Sequence, residues 1–175
     1  MRLVTIGLAV VLAASVAMLP ACKRHAGAPG ESKPGKLVSE VLMSNPHAAG
    51  QLISGFHSME NGAWRWTEKE FAISLLRPPQ ARQKGAVLSV RLTIPPVTIE
   101  RLQTISLAAS IHGTPLDPET YSAPGNYVYR RAVPAALLTD DPVRVDFALD
   151  KVIPPTGPDI RNLGIVVLAI GLSPQ

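Results

Sequence analysis

The sequence predicts an all-β fold: an antiparallel β-sandwich, jelly-roll-like in its connections, with one short N-terminal helix. Three observations lead there. Short apolar runs recur at spacings near those of a sandwich. Several of them alternate apolar and polar residues with a period of two, the mark of a strand with one buried face. The 17 prolines and 13 glycines fall between the runs, which favours turns and short strands over long helices.

The elements follow in order. Residues 37–43 read as a first strand. Asn45-Pro46 reads as a helix start, with asparagine as N-cap and proline at the first helical position, so residues 47–52 form a turn or two of helix. From Trp64 onward the signals are strand-like. Residues 70–76 stop at Arg77-Pro78-Pro79. Residues 86–94 stop at Pro95-Pro96, with Val90, Leu92 and Ile94 on one face and Ser89, Arg91 and Thr93 on the other. Residues 104–111 end in a tight turn at His112-Gly113, and residues 127–133 and 143–150 are further strands. Residues 163–170 are continuously apolar, as expected of a strand buried on both faces. Seven or eight strands result, and their proline-rich links suit a jelly roll better than a meander.

The N-terminus is a different kind of segment. Met1-Arg2 precedes an apolar run of 17 residues, 3–19, as in a secretory signal. Leu19-Pro20-Ala21-Cys22 follows and resembles the lipobox of bacterial lipoproteins, with Pro20 departing from the small residue usual at its place. That resemblance implies a diacylglyceryl group on the Cys22 sulfur, cleavage just before it and further acylation such as palmitate. Cys22 is the sole cysteine, so no internal disulfide is possible. The competing reading is an uncleaved anchor helix, which would also place the domain outside the cytoplasm. Lys23 stands where an aspartate would resemble an inner-membrane retention signal. The outer membrane is therefore expected if the source has two membranes. Two or more acyl chains, at about 0.8 kcal/mol per buried CH₂, anchor a protein stably.

The predicted organisation is a signal peptide over 1–21, a flexible tether over 22–36 and one sandwich domain over 37–175. The tether lacks bulky apolar residues and has nothing to bury. Without Arg2 the 17 Lys plus Arg become 16, against 13 Asp plus Glu. A balance of +3 without a basic run does not point to nucleic acid.

Catalytic signatures are missing from the sequence. There is no Gly-x-Ser-x-Gly elbow and no glycine-rich phosphate loop. His25, His47, His57 and His112 lack the spacing of paired metal ligands. Asp140-Asp141 reads as a solvated turn, since calcium needs six or more oxygens. No metal, no cofactor and no enzymatic activity are expected.

Two segments point to binding. Residues 55–67 hold both tryptophans, with Arg65 between Trp64 and Trp66 and with Glu60 just before. On a strand the two rings share one face and Arg65 takes the other. Large aromatics beside a strand usually bury, so the core is the expected place, for Trp66 above all. On an open face they would instead stack on sugar rings or another flat ligand. Glu60 is expected either to fix the loop by pairing with Arg65 or Arg161, or, with Arg65, to hydrogen-bond a ligand. The second segment, 154–164, places Asp159 and Arg161 around Ile160 before the last strand. It reads as a loop lock, with Asp159 accepting backbone N–H groups and Arg161 capping carbonyls, or as a ligand site.

A glycine-aromatic start, a glutamate, Arg65-Trp66 before a strand and Asp159-x-Arg161-x-Leu163-Gly164 together resemble an uncharacterised bacterial β-sandwich domain. That domain is attached to membrane glycosyltransferases and sugar-phosphate transferases of envelope polysaccharide pathways. The resemblance spans about residues 45–172. It implies a non-catalytic module near carbohydrate, because the transferase itself is not present. The leading expectation is thus a lipid-anchored envelope module that binds glycan or assists polysaccharide assembly. The candidate binding residues are Glu60, Trp64, Arg65, Asp159 and Arg161. The alternatives are a structural or assembly protein docked on a membrane protein partner, and an envelope glycoside hydrolase using Glu60 and Asp159 as paired carboxylates.

Overall fold

The computed structural model describes residues 36–175. The signal peptide, Cys22 and residues 22–35 of the expected tether lie outside the described residues. Nine strands form: β1 (Glu40–Leu42), β2 (Leu52–Phe56), β3 (Arg65–Leu75), β4 (Ala86–Ile94), β5 (Ile105–Ile111), β6 (Thr114–Tyr121), β7 (Gly125–Val133), β8 (Val143–Leu149) and β9 (Val166–Pro174). All their pairings are antiparallel.

The front sheet runs β7-β4-β9, with β1 and the first two residues of β3 on the far side of β9. The back sheet runs β6-β5-β8-β3-β2. β3 belongs to both, since Arg65 and Trp66 pair with β9 and residues 70–75 pair with β8. After the β2–β3 hairpin, every link except the β5–β6 turn carries the chain from one sheet to the other. The fold is thus the expected all-β sandwich with jelly-roll-like crossings.

Period-two alternation fills the space between the sheets. On β4 the residues Leu88, Val90, Leu92 and Ile94 are buried, and on β8 Val143, Val145, Phe147 and Leu149. Phe71 stacks on Phe147 with centroids 4.7 Å apart, and Phe56 meets Phe71 edge-on at 5.3 Å. The two end strands are joined by side chains. Tyr129 Oη and Arg131 Nε on β7 both donate to the Asp117 carbonyl of β6, at 2.9 and 2.6 Å. The Arg131 guanidinium lies 4.2 Å from the centre of the Tyr129 ring.

Several elements differ from expectation. β2 and β6 were not anticipated. β2 is short and bends at Gly55, whose φ is +73°. β6 contains Pro115 and Pro118, which argue against a central strand but are tolerated at the end of a sheet. β9 begins at Val166, later than expected, and runs on to Pro174. The N-terminal helical piece is a 3-10 turn, Pro46–Gln51, with the Asn45 side chain accepting from the His47 N–H. It is not the sole helix, as had been expected. α1 (Ala81–Lys84), α2 (Pro96–Leu102) and a 3-10 turn at Ala135–Leu137 add to it. Pro95-Pro96 ends β4 but also opens α2, because proline suits a first helical position. Lys151 Nζ then donates to the Leu102 carbonyl at the C-terminal end of α2, at 2.9 Å.

Candidate binding groove

The β2–β3 connection turns at Asn61-Gly62, both with positive φ (+48° and +65°). Asn-Gly is the preferred pair where two successive left-handed residues are needed. The Ala63 N–H donates to the Glu60 carbonyl at 3.0 Å, and the Glu60 N–H donates to the Trp64 carbonyl at 2.9 Å. This turn brings Glu60 and Trp64 opposite each other.

Trp66 then pairs with Val166 of β9, which pairs with Thr93 of β4. Thr93 faces outward, because its neighbours Leu92 and Ile94 are in the core. Trp66 therefore lies on the outer face of the front sheet. Trp64 shares that face, and both rings are half-buried. The expectation that Trp66 packs in the core is corrected. The physical reason is that β3 changes sheets. Its 65–67–71–73 side faces the core, so the even-numbered tryptophans face out.

A second departure from regularity completes the groove. Val167, Ile170 and Leu172 of β9 belong to the core, so the alternation slips between 167 and 170, where the β4–β9 register shifts. That bulge turns Leu168 outward. Bulges re-aim side chains in this way. Glu60, Trp64, Trp66, Thr93, Pro95, Val166 and Leu168 together line an open groove of about 380 Å³. The volume lies within the range of small-ligand sites, and the mainly apolar wall with a few polar groups is their usual character. Clefts of comparable size lie on the outer face of the back sheet, about 310 Å³, and beside Arg77, about 420 Å³. Neither presents an open aromatic ring, since Phe71 and Phe147 in the first are core residues.

Behind Glu60 stands a polar knot. Arg161 Nε and Nη2 bind Asp159 Oδ1 and Oδ2 at 2.9 and 2.8 Å as a two-pronged fork. Asp159 Oδ1 also accepts from the Arg161 N–H at 3.0 Å. Arg161 Nη1 reaches Glu60 Oε1 at 2.7 Å. The loop around Glu60 and the loop around Arg161, 101 residues apart in sequence, are thus tied together. A second tie runs from the His57 ring nitrogen Nε2 to the Asn162 carbonyl at 2.8 Å. The hydrogen bonds from Arg161 hold the Asp159 carboxyl down at about 2, below the ordinary 3.8. The Asp159 and then the Glu60 hydrogen bonds push the Arg161 guanidinium up.

Two expectations change here. Arg65 does not pair with Glu60; its Nη1 donates to the His57 carbonyl at 2.9 Å, and it sits on the opposite side of β3 from the tryptophans. Its Nε is buried without a partner among the described residues. Arg161 binds carboxylates and does not cap carbonyls. The knot also argues against the paired-carboxylate hydrolase. Glu60 and Asp159 are both ion-paired to one guanidinium, so they do not stand free on opposite sides of a cleft. At Asp140-Asp141, Asp141 Oδ1 accepts from the Arg77 N–H at 3.1 Å, while Asp140 meets His112 at 3.5 Å. Among the described residues no three His, Cys, Asp or Glu side chains gather to hold a metal.

Of the five candidate residues, Glu60 and Trp64 line the groove and Asp159 and Arg161 buttress it, while Arg65 faces away. Thr93, Pro95, Val166 and Leu168 were not singled out as binding residues, and Trp66 was weighed for stacking but expected in the core. The Asn61-Gly62 pair was a legible signal for the turn; the Leu168 bulge had none.

No family model matches the chain, and no curated protein matches it. Among solved structures the chain is similar to TmCBM27, a carbohydrate-binding module described for specific mannan recognition. The two are 12% identical with a TM-score of 0.47, over 80% of this chain and 98% of that one. A likeness at that level decides nothing about ligand or site in this chain.

Proposed function

We propose that this chain is a lipid-anchored, non-catalytic module of the cell envelope that binds glycan through the front-sheet groove. The observation that carries the reading is the pair of half-buried tryptophans, side by side on an outer face, with a fixed carboxylate between them and the loop knot. A sugar ring offers an apolar C–H face to an indole and hydroxyls to a carboxylate. Glu60 Oε1 is occupied by Arg161, while Oε2 has no hydrogen bond among the described residues and is left to accept from a hydroxyl. The groove needs no rearrangement to form, which lowers the cost of ordering it on binding.

The anchor rests on the sequence: the apolar run, the lipobox-like Leu19–Cys22 stretch and the polar tether after it. If the source has two membranes, the module sits at the outer one.

A glycan array or pull-down with envelope polysaccharide tests the binding. Capture by the wild type, lost in Trp64→Ala and Trp66→Ala chains that still fold, is the expected result. No capture of any glycan by folded protein would overturn the reading. A second reading, docking on an envelope protein, is favoured by one observation. Ile160 is 84% exposed between Asp159 and Arg161, whose side chains are hydrogen-bonded to each other. An Ile160→Ser change that abolishes crosslinking to a protein partner, while sparing glycan capture, would favour that reading.

A further inference from the structure

The face that carries the groove continues past Leu168 in register. On β4, Thr93, Arg91 and Ser89 follow each other on the outer side, about 6.8 Å apart at each step. Arg91 stands opposite Val128 of β7 on one side and opposite Ala169, beside the Leu168 bulge, on the other. Ser89 stands opposite Arg130. Arg91 and Arg130 are therefore diagonal neighbours across the β4–β7 pair, within reach of one small anionic group.

These two cations are poorly neutralised. The ion pair of Arg91 is with Glu40 at 3.7 Å, and both side chains are more than half exposed, 53% and 59%. Such a pair is weak and screened by salt. Arg130 is exposed and makes no ion pair among the described residues. The other end of the groove is the reverse. There Arg161 has every side-chain nitrogen committed to Asp159 and Glu60. Two carboxylates against one guanidinium leave −1 at that end. Two guanidinium groups against the Glu40 carboxylate leave +1 at the Arg91 end. The tryptophan platform thus lies between a hydroxyl-accepting end and an anion-accepting end.

We infer that the groove takes an acidic oligosaccharide, with its carboxylate or phosphate at Arg91 and Arg130 and its hydroxyls at Glu60. The inference rests on the groove being a glycan site and adds the ligand's charge and direction. An arginine pair suits either anion, because the planar guanidinium fork matches carboxylate and phosphate alike. A carboxylate placed the other way round would meet Glu60 and Asp159 and be repelled.

The test uses the full-length chain in detergent and an array carrying oligogalacturonate, the same oligomers methyl-esterified, phosphorylated mannose oligomers and neutral mannose oligomers. Binding to an acidic series, weakening with added salt, is expected, and the series bound tells carboxylate from phosphate. Arg91→Ala with Arg130→Ala should lose roughly tenfold in affinity and most of the salt dependence, in line with the loss of a charge-assisted hydrogen bond. The Arg91→Lys, Arg130→Lys chain should keep the salt dependence. Unchanged melting of both variants assigns the loss to binding. Oligogalacturonate bound no better than its methyl ester, with phosphorylated mannose oligomers bound no better than neutral ones, overturns the inference, as does acidic binding indifferent to the alanine variant. Binding confined to neutral oligomers and lost in Trp66→Ala overturns the ligand charge but leaves the groove reading standing. Binding to none of the four series overturns both.

Discussion

Arg161 donates through three side-chain nitrogens to two carboxylates, and its neighbour Asp159 receives both prongs of the fork. The pairs are one-third exposed, so each contributes modestly to stability. Their value lies in position, since Glu60 is held at the rim of the groove with one oxygen free. The pH dependence follows from Asp159. Its folded value is about 2 against an ordinary 3.8, so the native state binds fewer protons between those values. The stability it contributes is fully present above 3.8 and lost as pH falls toward 2. Asp159→Asn should therefore flatten the melting curve's pH dependence in that acid window and leave its shape near neutrality unchanged. Trp66 makes a second residue-scale case. Loss of a fully buried aromatic costs about 3–5 kcal/mol, and a half-buried outer-face ring should cost roughly half of that. Chemical denaturation of Trp66→Ala giving about 1.5–2.5 kcal/mol would agree with its outer position; a loss above about 4 would return it to the core.

At the scale of elements, legibility followed burial. β4 and β8 were readable almost residue by residue, because each alternates over a single buried face. β6 was hidden by its two prolines and β2 by its glycine bend, so both needed partners that the sequence alone does not reveal. In the candidate site, the shared face of Trp64 and Trp66 was legible from spacing. Which side faced the core was not, because that depends on β3 passing between sheets. The Leu168 bulge lay inside a run that is apolar on both faces and left no periodic trace. Gly164 shows why the Leu163-Gly164 pair matters to β3. Its N–H donates to the Thr67 carbonyl at 2.7 Å, and the Ile165 N–H donates to Thr67 Oγ1 at 3.2 Å. A Cβ there would meet the Leu149 side chain and Thr67 Oγ1, the latter at 2.6 Å. Gly164→Ala should cost about 1–3 kcal/mol in denaturation, as overpacking of a filled site does.

For the whole molecule, the sandwich supplies the outer face that carries the groove, and the proposed lipid anchor at Cys22 would hold that face at a membrane. Cys22→Ala should abolish both acyl labelling and cleavage at this site, leaving a longer, unlipidated precursor, without altering melting of the domain. Labelling that persists would remove the lipid anchor from the account. The groove itself has a built-in reporter, because both tryptophans of the chain line it. The decisive measurement is acrylamide quenching of intrinsic fluorescence, with and without a saturating oligosaccharide that the array has identified. Strong quenching in the free protein and clear protection with a blue shift in the bound state are expected, since the ligand would cover both rings. Saturated binding that leaves quenching and emission unchanged would place the ligand elsewhere and contradict the groove as the binding site.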